Sequence, residues 1–194
     1  MRRSRPDRPS EGGARFRGSA RGDTGADADE AERGDAAGEP AAPTEDPVEC
    51  ERRAVALLAR REHSRRELER KLAARGFPRG LVGETLDRLE QNGLLSSQRF
   101  ISGFIASRAE RGSGPAKIRA ELVQRGIRPD DADAALREAD EDWAALARRV
   151  RAKRFGASPP AEYAERARQA RFLRGRGFEP EHIDAALEVG ADSD

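Results

Sequence analysis

The sequence has little of what builds disulfides, large apolar cores or membrane spans. Aromatic residues make up 5% of its 194 residues, and its single cysteine, Cys50, excludes an intramolecular disulfide. No run of 18 apolar residues is present, and the arginines at the N-terminus are not followed by the apolar segment of a signal peptide. These absences predict a soluble, cytoplasmic protein that does not enter a membrane.

The motifs of common catalytic and cofactor sites are also missing. The chain has no glycine-rich phosphate loop, no H-E-x-x-H and no G-x-S-x-G. His63 and His182 are far apart, and no Cys/His cluster has the spacing of metal ligands. Cys50 fits a small packing residue better than a nucleophile. We therefore predict that the protein is not an enzyme and holds no metal or cofactor.

Charged residues, by contrast, make up 38% of the chain, and β-branched residues are few, which favours helices that bury narrow apolar stripes. Residues 1–47 depart from this pattern, with seven glycines, five prolines and one aromatic residue. Seven arginines lie in residues 1–21, and nine acidic residues lie in 22–47. This composition predicts a disordered charged tail, either a solvated extension or an arm that touches nucleic acid.

A repeat of about 50 residues begins after the tail. The triplets Arg75-Gly76-Phe77, Arg125-Gly126-Ile127 and Arg176-Gly177-Phe178 mark its three copies. Leucine stands four residues before each glycine and ten residues after it, and another apolar residue stands six residues after it. The positions concerned are Leu72, Leu122 and Leu173, then Leu86, Leu136 and Leu187, then Val82, Ala132 and Ile183. The glycines are predicted to end helices in the left-handed conformation, with the following Phe or Ile as an apolar plug.

Each copy is predicted to contain three helices, giving an all-α protein with repeats at 48–95, 96–140 and 141–194. The first helices are predicted near Glu49–Arg61, Gln98–Arg111 and Glu141–Phe155. The second helices are predicted to begin at Ser64, at Ser113-Gly114-Pro115 and at Ser158-Pro159, and the third helices near Arg79, Pro129 and Pro180. A unit of about 45 residues buries too little apolar surface to fold well alone, so the three copies should stack into an extended or curved array. Stacked arrays are typical binding surfaces.

The distribution of charge indicates where such an array could bind. Two helices joined through a glycine resemble a helix-turn-helix, but the outer faces of the third helices are acidic and would be repelled by phosphate. Those faces carry Glu84, Asp87 and Glu90, then Asp130, Asp131 and Asp133, then Glu181, Asp184 and Glu188. Residues 148–176 hold ten basic residues against Glu162 and Glu165. This basic segment either contacts phosphates or an acidic protein, or only complements helix dipoles.

Several motifs in the middle of the chain resemble the RecX regulatory family. They run from Gly93-Leu94-Leu95-Ser96-Ser97-Gln98-Arg99-Phe100 through Arg108-Ala109-Glu110-Arg111-Gly112-Ser113-Gly114-Pro115 to Ile118-Arg119-Ala120-Glu121-Leu122 and Arg125-Gly126-Ile127. The resemblance continues upstream through Ala56 and downstream to Leu187 and covers essentially all of residues 48–189, while the tail lies outside it. The family usually has acidic residues where this chain has Ser96-Ser97, a position at which serine can still cap a helix.

The resemblance implies a modulator that docks along the groove of the RecA recombinase filament on single-stranded DNA and restrains its ATPase, strand-exchange and co-protease activities. We also expect the protein to be a monomer. An alternative is a nucleic-acid-binding helical repeat protein that acts independently of RecA. The predicted contacts to the filament, or to single- or double-stranded DNA phosphates, are basic residues of the second and third repeats. They are Arg99, Arg108, Arg111, Arg148, Arg149, Arg151, Lys153, Arg154, Arg168, Arg171 and Arg174.

Overall fold

The computed structural model describes residues 45–188, and over this range the chain forms nine α-helices and no strand. The first repeat contains α1 (Pro47–Leu58), α2 (Arg65–Ala73) and α3 (Arg79–Gln91). The second contains α4 (Ser97–Glu110), α5 (Pro115–Gln124) and α6 (Pro129–Glu138). The third contains α7 (Trp143–Phe155), α8 (Tyr163–Gly175) and α9 (Pro180–Leu187). The predicted all-α class with tandem three-helix repeats is confirmed, while the predicted disorder of the tail falls almost wholly outside the described residues.

Most helix starts follow from local sequence. The third helices begin at Arg79, Pro129 and Pro180, as predicted. Ser64 caps α2 by accepting a hydrogen bond from the Glu67 amide at 3.1 Å. Ser96 caps α4 by accepting one from the Arg99 amide at 3.3 Å, so serine performs the capping role expected at this position.

The predicted start of α8 at Ser158-Pro159 is wrong, because the helix begins at Tyr163. Pro160 disfavours the helical conformation for the residue before it, so Pro159 cannot open a helix that continues through Pro160. The carbonyl groups of Ala157 and Ser158 instead accept hydrogen bonds from Arg151, at 2.7 and 2.9 Å. These bonds tie the segment between α7 and α8 back to α7.

The three repeated glycines end the second helices as predicted. Gly76, Gly126 and Gly177 have φ values of 86°, 85° and 88°. In each copy the amide of the following Phe or Ile donates to the carbonyl of the leucine five residues earlier, at 3.4, 3.1 and 3.2 Å. This is the Schellman arrangement, in which an apolar residue after the helix packs back on its last turn.

Each repeat has its own apolar core, centred on the leucine that precedes its glycine. Leu72, Leu122 and Leu173 are completely buried and belong to three separate clusters. Cys50 is buried in the first cluster, which confirms its packing role. Trp143 packs against both the second and the third clusters and so links the last two repeats.

Candidate partner and nucleic-acid interface

The first and second repeats meet where the N-terminus of α2 faces the C-terminus of α5. The Ser64 hydroxyl donates to the Arg125 carbonyl at 2.8 Å, and the Arg66 guanidinium donates to the Gln124 carbonyl at 3.4 Å. A Cβ atom on Gly126 would press against the Arg66 side chain at 2.9 Å. Gly126 therefore ends α5 and also allows the first repeat to pack closely against the second.

The second and third repeats meet in the equivalent way. The Gly114 amide donates to the Arg176 carbonyl at 2.8 Å, and the Ala116 amide donates to the Gly177 carbonyl at 3.0 Å. Gly114 occupies the position in the second repeat that Ser64 occupies in the first, and a Cβ on it would overlap the Gly177 backbone. Both joints thus place the positive N-terminal end of one second helix against the negative C-terminal end of the next.

A network of charges around the buried Glu67 reinforces the first of these joints. The Glu67 carboxylate contacts His63 Nδ1 at 3.1 Å, Arg61 at 3.3 Å and Arg125 at 3.4 Å. Burial alone would raise the pKa of Glu67, but the hydrogen bond to His63 and the charges of Arg61 and Arg125 outweigh it and lower that pKa. Glu67 therefore stays ionised and bridges the two repeats.

The same network continues into the second repeat through Glu121. Arg108 Nε donates to the Glu121 carboxylate at 2.7 Å, and Arg125 lies 3.9 Å from it. The guanidinium groups of Arg108 and Arg125 also lie over the Phe104 ring, at 4.7 and 4.8 Å from its centre. Sequence reasoning missed this network because Glu67 and Glu121 have no acidic counterparts in the other copies of the repeat.

Two residues of the predicted contact set are therefore not on the surface. Arg108 is 8% exposed and committed to Glu121, and Arg151 is 5% exposed and bonded to the segment between α7 and α8. Both guanidinium groups are used inside the protein. Their inclusion among the predicted contacts is corrected for this reason.

The other predicted contact residues of α7 and α8 are exposed, and we refer to them together as the basic surface. Arg168 pairs with Glu165 at 2.9 Å and Arg149 lies 3.7 Å from Glu141, so these two are partly neutralised. The others are exposed and have no ion-pair partner among residues 45–188. They are Arg148, Lys153 and Arg154 on α7 and Arg171 and Arg174 on α8.

Arg99 and Arg111 lie on the second repeat, apart from this surface in the sequence. Arg99 pairs with Glu62 at 2.6 Å and donates to the carbonyls of Gly93 and Leu94, so its guanidinium already holds α4 against the first repeat. Arg111 is exposed at the end of α4, and no ion pair engages it in the part of the chain that the structure describes. Of these two, only Arg111 has an uncommitted guanidinium.

The acidic outer faces of the third helices are also placed as expected. Glu84, Asp131, Glu181 and Asp184 are exposed. Others are engaged by nearby arginines, as in the pair between Arg119 and Asp133. Because carboxylates repel phosphate, these faces are unfavourable for contact with nucleic acid.

Both histidines make contacts within the protein. His63 is fully buried beside Glu67, and His182 Nδ1 accepts the Glu179 amide at 3.3 Å and so caps α9. Glu179, Glu181 and His182 are close enough together to hold a metal ion, and they form the N-cap and the first turn of this helix. Within residues 45–188, no helix combines the length and the low charge needed to cross a bilayer.

These features define the class of protein. It is a helical repeat protein in which hydrogen bonds and close backbone contacts join successive repeats, and its third repeat carries the basic surface. Models of the first, second and third three-helix domains of RecX match residues 50–89, 98–136 and 140–187. The chain belongs to the RecX family.

Individual relatives agree with this assignment. The regulatory protein RecX of Halorhodospira halophila is 48% identical over 141 residues, which cover 73% of this chain and 88% of the relative. That of Pseudomonas entomophila is 48% identical over 141 residues, covering 73% of this chain and 91% of the relative. The crystal structure of RecX from Lactobacillus salivarius shares the fold, with a TM-score of 0.63 at 19% identity over 73% of this chain and 94% of that one.

Proposed function

We propose that this protein binds the RecA recombinase filament on single-stranded DNA and inhibits its ATPase, strand-exchange and co-protease activities. In this proposal it acts in the cytoplasm as a monomeric, non-enzymatic regulator in recombination, DNA repair and the SOS response. Its family membership supports this role, since the relatives are named regulatory proteins.

The observation that carries the proposal is the basic surface. Its five cations without an ion-pair partner in residues 45–188 lie on two helices of one repeat, and their field attracts a polyanion such as single-stranded DNA or an acidic protein face. Guanidinium groups bind phosphate or carboxylate through two parallel hydrogen bonds. The joints between repeats hold this surface at a defined place relative to the first two repeats.

A titration of the protein into RecA assembled on single-stranded DNA tests the proposal. We expect the rate of ATP hydrolysis to fall at well below one molecule of this protein per RecA protomer. Such a stoichiometry indicates action on the filament, because masking of DNA alone requires enough protein to cover it. An unchanged ATPase rate at equimolar protein would contradict the proposal.

The basic surface also supports the alternative, a nucleic-acid-binding protein independent of RecA. In that case affinity for bare single-stranded DNA should fall with salt by about 0.7 log units per log unit of salt for each phosphate neutralised. Binding to bare DNA that is as tight as binding to the RecA filament would favour this alternative.

A further inference from the structure

The third helix of the second repeat is much less buried than its counterparts. Helix α3 buries Val82, Thr85, Leu86 and Leu89, whereas α6 buries only Ala132. Leu136 of α6 is half-buried, although the equivalent Leu86 and Leu187 are 0% and 1% exposed. Helix α6 is therefore less completely covered by its own repeat than α3 and α9 are.

The sequence explains why α6 is less covered. Ala132 stands where the other repeats have Val82 and Ile183, and Ala139 stands where the first has Leu89. These smaller side chains fill less of the space between the first and third helices. In the third repeat the corresponding helices, α7 and α9, are in far more extensive contact than α4 and α6 are.

A groove of about 700 Å³ lies between α4 and α6 on the side of Ala134 and Ala135, and we name it the α4/α6 groove. Its floor is apolar and consists of Ile101, Ile105 and Ala109 from α4 and Ala134 and Ala135 from α6. This volume lies within the range of sites that enclose ligands. It is large enough to receive several side chains of a partner.

The rim of the groove is acidic and largely unneutralised. Asp131, Glu138 and Asp140 are exposed, and no arginine or lysine of the described chain pairs with them. Glu141 completes the rim and lies 3.7 Å from Arg149. An apolar floor within such a rim disfavours DNA and complements a segment in which apolar side chains alternate with cations.

We propose that the α4/α6 groove binds a basic segment of a protein partner, which presents apolar side chains to the floor and arginine or lysine to the rim. This inference rests on the proposed function for the partner's identity, a RecA protomer of the filament. The protein then has two distinct contacts. Its basic surface faces phosphate or acidic groups, and its α4/α6 groove faces a basic element of the recombinase.

The test is a comparison of affinity for the RecA filament between two variants with the same change of charge. The first is Asp131→Asn/Glu138→Gln/Asp140→Asn, which neutralises the rim. The control is Glu84→Gln/Glu181→Gln/Asp184→Asn, which neutralises exposed acids on α3 and α9 that also lack ion-pair partners within residues 45–188. Because each exposed ion pair contributes modestly, we expect the rim variant to bind the filament about tenfold more weakly and the control to stay within about twofold of wild type.

Bare single-stranded DNA serves as the second ligand for every variant. The rim variant should bind it as well as wild type or slightly better, because its net charge becomes more positive. Ala106→Leu places a larger side chain at an exposed groove position without changing charge, and it should also weaken filament binding. Ala56→Leu, at an exposed position of α1, is its control and should not.

The outcomes separate this inference from the proposed function. A wild-type protein that does not bind the RecA filament would overturn the proposed function and, with it, RecA as the occupant. If wild type binds the RecA filament and the rim variant binds it equally well, the proposed role of the α4/α6 groove would be overturned and the proposed function would not. A dimer seen by sedimentation and abolished in the rim variant would also overturn it, because the occupant would then be a second copy.

Discussion

At the scale of the residue, Gly114 and Gly177 allow the close backbone contact that joins the second and third repeats. Gly114 has an ordinary φ of −84°, so its need for glycine arises only from the close approach of the Gly177 backbone. We expect Gly114→Ala to lower the free energy of unfolding by about 1–3 kcal/mol, as overpacking does. Chemical denaturation monitored by circular dichroism measures this.

Gly103→Ala is the matched control for that prediction. Gly103 lies within α4, and a Cβ there would meet nothing within 4 Å. Replacing it should stabilise the protein by about 0.5–1 kcal/mol, because alanine loses less backbone entropy in a helix. Equal effects of both substitutions would mean that the joint tolerates the added methyl group.

Glu67 makes the stability of the first joint dependent on pH. Its pKa in the folded protein lies below the ordinary 4.5, so its stabilising contribution is complete above 4.5 and is lost as the pH falls through the folded-state value. Glu67→Gln leaves Arg125 less well compensated and should cost about 3 kcal/mol near neutral pH.

Urea denaturation of wild type and Glu67→Gln at several pH values measures this contribution. The difference in the free energy of unfolding should be largest near neutrality and should shrink below pH 4.5. Glu69→Gln, which removes an exposed carboxylate paired with Arg65, should show a small difference throughout. A constant difference for Glu67→Gln from pH 7 to pH 3 would show that its charge is not the cause.

The sequence predicted the burial and the backbone conformation of single residues well at positions that recur in all three repeats. Leu72, Leu122 and Leu173 are buried, and the glycines four residues later have the left-handed conformation. Arg108 and Arg151 show the limit of that reasoning, because a basic residue in a charged sequence looks the same whether its guanidinium faces water or bonds to a buried acid or carbonyl. Only the tertiary structure brings Glu121 and the Ser158 carbonyl to them.

At the scale of the element, the basic surface of α7 and α8 should bind the filament. We expect Arg148→Glu/Arg171→Glu to weaken inhibition of the RecA ATPase by about tenfold, and also to reduce its dependence on salt, because each substitution replaces an attraction with a repulsion. Titrations at two salt concentrations, with circular dichroism to verify folding, measure both effects.

Arg79→Glu/Arg128→Glu is the control for this pair. Both arginines are exposed at the start of third helices, where glutamate is compatible with the helix dipole. Inhibition should be nearly unchanged. If the control abolishes inhibition and the α7/α8 variant does not, the cations of α7 and α8 only complement their helices.

The positions of helices were predictable from the sequence where capping residues and apolar periodicity indicate the same start. Proline at the first turn located α6 and α9, whereas Ser158-Pro159 misplaced α8 because a second proline follows. The incomplete burial of α6 was not predicted. Its alanines fit an apolar stripe as well as larger residues do, and only packing reveals that they leave a groove.

At the scale of the whole molecule, the described repeats should fold without the N-terminal segment. We expect removal of residues 1–44 to leave the midpoint of thermal unfolding almost unchanged. Removal of residues 1–46 deletes Asp46, whose carboxylate accepts the Val48 amide at 2.9 Å and caps α1. This longer deletion should cost about 1 kcal/mol.

Differential scanning calorimetry of the two truncated proteins and of the full chain measures both effects. A midpoint several degrees lower after removal of residues 1–44 would show that this segment packs against the repeats. Equal midpoints for the two truncations would show instead that the Asp46 cap contributes little.

The two joints have the same polarity, and this gives the protein two unlike ends. The N-terminus of α2 meets the C-terminus of α5, and the N-terminus of α5 meets the C-terminus of α8. Within residues 45–188, no earlier repeat meets the Arg75-Gly76 carbonyls, and the start of α8 meets no later one. The joined repeats therefore have no internal twofold symmetry, and a partner that binds along them meets a different surface at the first repeat from the one at the third.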